Sequence, residues 1–326
     1  MTDTALELKN LSVTYPGPRA GFMQPRKVVQ AVDDVSLTLK KGRTLGLVGE
    51  SGSGKTTVAR AIMRLVDPAS GEVRLNGQRI DTLTGRGLQQ ARRHLQYVFQ
   101  DPYSSLNPRE RAGSIVRSPL DVMNIGDEAS RQARVNALFE LVGLRKDQQS
   151  LFPHQFSGGQ RQRINIARAL APDPDLIVCD EAVSALDVAI QAQILNLLQR
   201  LKRDYAITYL FISHDLTVVR HMSDDVAVMY LGQIVEKSSR DVLFDAPLHP
   251  YTAALMSAVP KLSTGRRRAP TTSIAPVDPP SPLNLPVGCR FASRCPMATD
   301  QCRAQMPALR EITPDHWVRC HLVDAP

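Results

Sequence analysis

Gly49-Glu50-Ser51-Gly52-Ser53-Gly54-Lys55-Thr56 has the spacing G-x-x-x-x-G-K-[ST], that of a loop curled around the phosphate tail of a nucleoside triphosphate. Such a tail needs several backbone N–H donors converging on it. Gly49, Gly52 and Gly54 permit the tight curl and the close approach that a side chain would block. Lys55 is expected on the β- and γ-phosphates, Thr56 as an Mg²⁺ ligand, and Thr57 at the start of a helix whose positive end faces the anion. A second chemical cluster lies far along the chain. Asp180 and Glu181 end the apolar run Leu176-Ile177-Val178-Cys179, which suits one acid to hold Mg²⁺ and the next to polarise an attacking water as general base.

These residues require particular elements to carry them. Thr44-Leu45-Gly46-Leu47-Val48 is short and apolar, as a buried parallel strand would be, and Thr57 to Val66 has helical spacing with Val58, Ile62 and Leu65 on one side. Leu6 to Tyr15 alternates apolar and polar residues, the pattern of a half-buried antiparallel strand, and Val29 to Leu39 resumes it after a Pro-, Gly- and Arg-rich loop from Pro16 to Lys27. Gly71 to Gly77 predicts a hairpin around Asn76-Gly77. Leu95 to Phe99, Leu176 to Cys179 and Thr208 to Ile212 read as further short strands, and Val226 to Tyr230 with Gln233 to Val235 as a closing hairpin. Helical patterns fill Ala129 to Leu141, Gln160 to Leu170 and Val188 to Arg203, so residues from Pro102 to Ala171 read as a helical insert in an α/β core.

The bulk numbers bound the class. A chain of 326 residues with 43% hydrophobic content supports a large core plus an appended piece. No apolar run reaches the roughly 18–20 residues of a membrane-spanning helix, and no secretory signal opens the sequence, so a cytoplasmic protein is expected unless a partner brings it to a membrane. The net charge of +8 suits nucleotide, anionic lipid or nucleic acid. Its densest basic run, Arg266-Arg267-Arg268, has no interleaved aromatics and reads as a solvated linker in a Pro-, Ser- and Thr-rich stretch over 260–286; no nucleic-acid partner is expected. Cys179 reads as a buried thiol. Cys289, Cys295, Cys302 and Cys320 crowd the tail, where a cytosolic setting favours metal over disulfides.

Phe156-Ser157-Gly158-Gly159-Gln160 stands between the phosphate loop and the acid pair, and that order resembles the ATP-binding-cassette proteins, with Phe where a leading Leu is usual. The resemblance covers essentially the whole chain. It implies a phosphate-loop NTPase core of the RecA-like kind with an antiparallel β-subdomain and a helical subdomain at about 102–171. It implies that Ser157, Gly158, Gly159 and Gln160 close over the ATP of an opposing subunit, and that Asp187, in Ser184-Ala185-Leu186-Asp187, crosses the dimer interface. Gln100 resembles the glutamine that senses Mg²⁺ and the γ-phosphate, His214 the switch histidine, and Tyr15 the aromatic that stacks on adenine. Ala182 departs from the usual Pro after the glutamate, which touches loop rigidity more than chemistry.

The ends narrow the branch. Gln100-Asp101-Pro102-Tyr103-Ser104-Ser105-Leu106-Asn107-Pro108-Arg109, His249-Pro250-Tyr251-Thr252 and the cysteine tail resemble the dipeptide/oligopeptide importer ATPases. The Gly17 to Lys27 insert and Gly46 to Ser51 resemble their second, F-type subunit. The resemblance implies an ATPase domain over 1–236 and a family-specific extension over 237–326. As partners it implies a second ATPase subunit, a paralogue sooner than a copy, two transmembrane permeases and an extracytoplasmic solute-binding protein. The location implied is the cytoplasmic face of the membrane. Other solutes, such as nickel chelates, glutathione or opines, fit the same subunit. The tail spacing C-x5-C-x6-C-x17-C is neither a zinc ribbon nor a ferredoxin run; spacing leaves a [4Fe–4S] cluster, Zn²⁺ and free thiols open, and the resemblance favours the cluster. A soluble cassette ATPase of translation or DNA repair is the main rival, but it would carry two cassettes or a long coiled-coil insert, neither of which is seen. A binding module without turnover is opposed by the intact Glu181 and His214.

Overall fold

Continuous apolar runs bounded by loops form strands covered on both faces, and three of them set the centre of this molecule. The computed structural model describes residues 3–17, 28–101, 103–257 and 280–324. Nearly all of the Gly17 to Lys27 insert, the Arg266 to Arg268 run and most of the Pro-rich stretch lie outside the described residues. β1 (Thr4–Pro16) and β2 (Val28–Lys40) are long antiparallel neighbours, and β4 (Ser70–Leu75) with β5 (Gln78–Arg79) completes a four-stranded sheet in the order β2-β1-β4-β5. Asn76 and Gly77 both take positive φ at the β4–β5 turn, as a two-residue hairpin demands.

The second sheet has eight strands. β3 (Thr44–Val48), β6 (Leu95–Val98), β7 (Leu176–Asp180), β8 (Thr208–Ile212) and β9 (Asp225–Tyr230) run parallel in the order β9-β3-β8-β7-β6. β3, β7 and β8 are buried at every residue. β10 (Gln233–Ser239) adds antiparallel to β9, and two tail strands, β11 (Arg310–Thr313) and β12 (His316–Val318), extend the same sheet past it. The expected division at 236/237 therefore falls inside β10, and Glu236 and Lys237 both pair with β12.

α1 (Lys55–Ile62) follows the phosphate loop and is shorter than the pattern to Val66 suggested: Arg64 takes φ 55°, which stops the helix, and Leu65 is exposed. α2 (Gly85–His94) precedes β6. α3 (Ala112–Val122), α4 (Glu128–Leu141) and α5 (Gly158–Leu170) form the helical insert, and α6 (Val188–Tyr205) packs beside α5. α7 (Leu216–Met222), α8 (Arg240–Asp245), α9 (Pro250–Ser257) and α10 (Asp300–Ala304) complete the helices among the described residues. One core lies under the helical insert, and a second lies between the antiparallel sheet and β3. A third joins β9 and β10 to the tail through Tyr230, Tyr251 and Phe291.

Register explains where function collects. Leu47 of β3 pairs with Ile212 of β8, Asp180 of β7 pairs with the same Ile212, and Val98 of β6 pairs with Cys179. The loops leaving these strands start at Gly49, Glu181, Ser213 and Phe99, all at one carboxyl-terminal edge, where open α/β sheets place their ligands.

Candidate active site

At that edge a cavity of about 440 Å³ is lined by Ala31, Ser51, Gly52, Gly54, Lys55, Thr56, Thr57, Gln100, Glu181 and His214. Gly54 caps α1 at φ 107°, and a Cβ there would stand 2.3 Å from the carbonyl oxygen of Ala31. Only glycine allows the loop to pass that close. A Cβ on Gly49 would lie 2.1 Å from the carbonyl oxygen of Met229, so the start of the loop is equally tight against β9.

Lys55 is buried and turns its ammonium back into the loop, donating to the carbonyls of Gly49 at 2.8 Å and Glu50 at 2.9 Å and to Ser53 Oγ at 3.3 Å. Burial lowers its pKa, while Glu181, Asp180 and Glu50 oppose the shift. A desolvated ammonium at the centre of a ring of backbone groups suits a polyanionic ligand. Thr56 Oγ1 donates to Asp180 Oδ1 at 3.3 Å, so the two residues expected at Mg²⁺ are neighbours. Tyr97 donates to the other oxygen, Oδ2, at 2.6 Å. Burial raises the pKa of Asp180, and the hydrogen bonds from Tyr97 and Thr56 work against that rise. A hydroxyl and a buried carboxylate are hard oxygen donors of the kind Mg²⁺ takes alongside phosphate oxygens.

Glu181 sits between two partners. Gln100 Nε2 donates to its Oε2 at 2.8 Å, and His214 Nδ1 lies 3.1 Å from its Oε1. A carboxylate only accepts, so Nδ1 carries the hydrogen in this arrangement and Nε2 is left facing away from Glu181. Glu181 holds φ 49°, a conformation that costs a non-glycine residue roughly 1–3 kcal/mol. Its N–H donates to the Ile212 carbonyl at 2.9 Å, and Ser184 donates back to its carbonyl through N at 3.1 Å and Oγ at 3.0 Å. Asp215 fixes the far side: its Oδ1 accepts from Thr217 N at 2.8 Å and caps α7 directly after His214.

Ser157 to Gln160 stands outside this cavity. Ser157 Oγ accepts from Gln160 N at 3.3 Å while Gln160 Oε1 accepts from Ser157 N at 3.0 Å, a capping box at the start of α5. Gly159 lets α5 meet α6 closely, since a Cβ there would be 2.5 Å from Ile190 Cγ2. Buried Gln162, one turn in, donates to the Ala182 carbonyl at 2.6 Å and ties α5 to the loop behind Glu181. Asp187 is exposed at the start of α6. Tyr15 lies near the end of β1, paired with Val29 and packed against the core of the antiparallel sheet; it is not in the cavity wall. Sequence reasoning missed Tyr97 and Ala31. Tyr97 had no motif around it, and its role appears only once β6 is placed beside β7.

In the tail, Cys289 N donates to the Cys302 carbonyl at 2.7 Å, which brings two cysteine segments together. Burial pushes the Cys289 thiol up to about 11 and raises those of Cys295 and Cys320, and the neighbouring cysteines add to each rise. Backbone N–H groups oppose it, that of Leu322 donating to Cys320 Sγ at 3.4 Å. Among the described residues the cysteines are free thiols, and no three His, Cys, Asp or Glu side chains are assembled as a metal site.

Comparison with known proteins decides the family. The chain is 48% identical over 327 residues to "Oligopeptide transport ATP-binding protein AppF" of Bacillus subtilis, covering 98% of each chain. It belongs to the ATP-binding-cassette ATPases of the oligopeptide/dipeptide transporter family. The family profile "ABC transporter" matches residues 32–184, and "Oligopeptide/dipeptide transporter, C-terminal region" matches residues 235–302. A "Probable peptide ABC transporter ATP-binding protein" of Sinorhizobium fredii is 49% identical over 99% of this chain and 91% of its own. Among solved structures, the ATP-binding cassette MJ0796 in a dimeric post-hydrolysis state with ADP and Pi is 30% identical. It superposes with a TM-score of 0.64 over 72% of this chain and 98% of its own. The cassette fold, with its phosphate-loop core and two subdomains, and the ATP-hydrolysing activity of the family are those expected from the motifs. No helix among the described residues is long and apolar enough to cross a membrane.

Proposed function

We propose that this cassette ATPase powers peptide import as a peripheral subunit on the cytoplasmic face of a membrane transporter, beside two permeases that take solute from an extracytoplasmic binding protein. The relatives' names and the matching C-terminal region support peptides as the solute. The observation that carries the catalytic reading is the carboxylate of Glu181, held by Gln100 and His214 at the mouth of the phosphate-loop cavity. Mg²⁺, when bound, would supply positive charge against the phosphates. Thr56 and Asp180 would hold it, Lys55 would meet the γ-phosphate once released from its own loop carbonyls, and Glu181 would take the proton of the attacking water.

Half of each site comes from elsewhere in this reading. Ser157 to Gln160 lies outside its own chain's cavity and presents Ser157 and the first N–H groups of α5, an anion-binding end, to an opposing subunit. A paralogous ATPase is the proposed partner, with Asp187 at the contact. Closure of the two subunits on ATP biases the permeases toward one state, and hydrolysis resets them.

For the tail we propose a [4Fe–4S] cluster on Cys289, Cys295, Cys302 and Cys320, with Zn²⁺ as the second reading. The crowding of four cysteines in the tail, the meeting of two of their segments where Cys289 N donates to the Cys302 carbonyl at 2.7 Å, and backbone N–H bonds to three of the thiols support it. Anaerobically purified protein should carry about four irons and four sulfides per chain; protein without iron, sulfide or visible absorbance would dismiss the cluster.

The importer reading is tested by purification from detergent-solubilised membranes. Two membrane subunits should accompany the chain, and its ATP hydrolysis should rise when a peptide-loaded binding protein is added. Isolation with soluble partners alone, and hydrolysis indifferent to that addition, would contradict it.

A further inference from the structure

Glu50 is the variable second position of the phosphate loop, yet all of its polar groups are engaged. Its carbonyl accepts from Lys55 Nζ at 2.9 Å. Its N–H donates to Tyr251 Oη at 2.9 Å. Its carboxylate takes a two-pronged bond from Arg294, Nη1 to Oε2 at 2.8 Å and Nη2 to Oε1 at 3.0 Å. Tyr251 belongs to α9, and Arg294 immediately precedes Cys295 in the tail. One loop residue thus joins the lysine of the ATP site to two segments that follow the parallel core in sequence.

The arginine is held at both of its terminal nitrogens. It is 9% exposed, and its Nη1 also donates to Tyr230 Oη at 3.3 Å. Tyr230, Tyr251 and Phe291 pack around it, with ring centroids 4.6 Å apart for the two tyrosines and 5.4 Å from each tyrosine to Phe291. Four residues earlier Arg290, 5% exposed, donates to Asp33 and to the Leu231 carbonyl. Asp33 is two residues from Ala31, which lines the cavity and whose carbonyl oxygen would clash with a Cβ on Gly54. The same short turn of the tail therefore grips both the phosphate loop and the β2 segment facing it. A planar fork on a carboxylate fixes orientation as well as distance, which a lysine in the same place would not do.

We propose that Arg294 is a positioning residue of the ATP site: through Glu50 it sets the phosphate loop and the Lys55 ammonium, so the tail is a built-in part of the nucleotide-binding machinery. This goes beyond the importer reading and holds whatever the four thiols carry and whichever solute is moved.

The test uses the full chain, a fluorescent ATP analogue for affinity and steady-state hydrolysis for kcat and KM. Arg294→Met and Glu50→Gln should each weaken nucleotide binding and raise KM for ATP about tenfold, the loss of one charge-assisted pair, with kcat within about twofold. Arg294→Lys should fall between Met and wild type. The double variant should be no worse than either single, because both remove the same interaction. Hydrogen exchange of residues 49–56 should quicken in Arg294→Met with no nucleotide present. Unchanged affinity in Glu50→Gln, whose tail is untouched, would overturn the proposal even if Arg294→Met fails to fold. Additive losses in the double variant would overturn it as well.

Discussion

Tyr97 donates its hydroxyl hydrogen to Asp180 Oδ2 at 2.6 Å, so the acid at the end of β7 is oriented by a phenol from the neighbouring strand β6. The bond leaves Oδ1 turned toward Thr56.

Tyr97→Phe removes that donor without changing the ring. The pKa of Asp180 is already raised by burial, and the Tyr97 bond opposes the rise, so its loss raises the pKa further. In the proposed site Asp180 would hold Mg²⁺ in its ionised form. The acid limb of ATP hydrolysis should therefore move to higher pH. Above that limb the rate should stay within a few-fold of wild type. A pH–rate profile for both proteins checks this.

The chemistry was more legible in the sequence than its supports. Glycine spacing marks the phosphate loop because backbone sterics leave few alternatives, and the fully buried β3, β7 and β8 announce themselves as apolar runs. Tyr97 could not be assigned before β6 was set beside β7, because strand order is a tertiary fact. Arg294 and Glu50 are 244 positions apart, and nothing local couples them. The helix after the loop ends at Ile62 through the left-handed turn at Arg64, which an apolar period running on to Val66 conceals. The tail showed its cysteines but not its strands: β11 and β12 have four and three residues, too short for alternation to register.

Ser157→Arg places a long side chain where α5 would approach the opposing subunit. Ser157 does not line its own chain's cavity, so ATP binding to this chain's Lys55 should persist. Hydrolysis at the partner's phosphate loop should fall by about a hundredfold, as when a transition-state donor is lost. Equilibrium binding to the isolated chain, set beside turnover of the assembled transporter, separates the two effects. Loss of binding in the isolated chain would place Ser157 in its own site.

The tail carries a pH signature of its own. His249 is fully buried, and desolvation pushes its pKa down to about 4, against the opposing pull of Glu236. Its Nδ1 accepts from Tyr251 N at 3.1 Å, which needs the neutral ring. A base whose folded pKa lies below its unfolded value contributes stability above about pH 6.5, and that contribution is lost as pH falls toward 4. The loss should reach about 3 kcal/mol across that window. Glu236 anchors the same region, accepting from Leu248 N at 2.8 Å, His249 N at 2.9 Å and His316 Nε2 at 2.7 Å. Chemical denaturation at a series of pH values should show the slope in wild type and a shallower one in His249→Asn.

Glu181 is assigned as the general base, and the hydrolysis rate of Glu181→Gln within the assembled transporter decides that role. The substitution keeps shape and removes the proton acceptor. ATP should bind with wild-type affinity and remain unhydrolysed, with turnover down by about a hundredfold to ten-thousandfold. Turnover at the wild-type rate would contradict the assignment of Glu181 as the base held by Gln100 and His214.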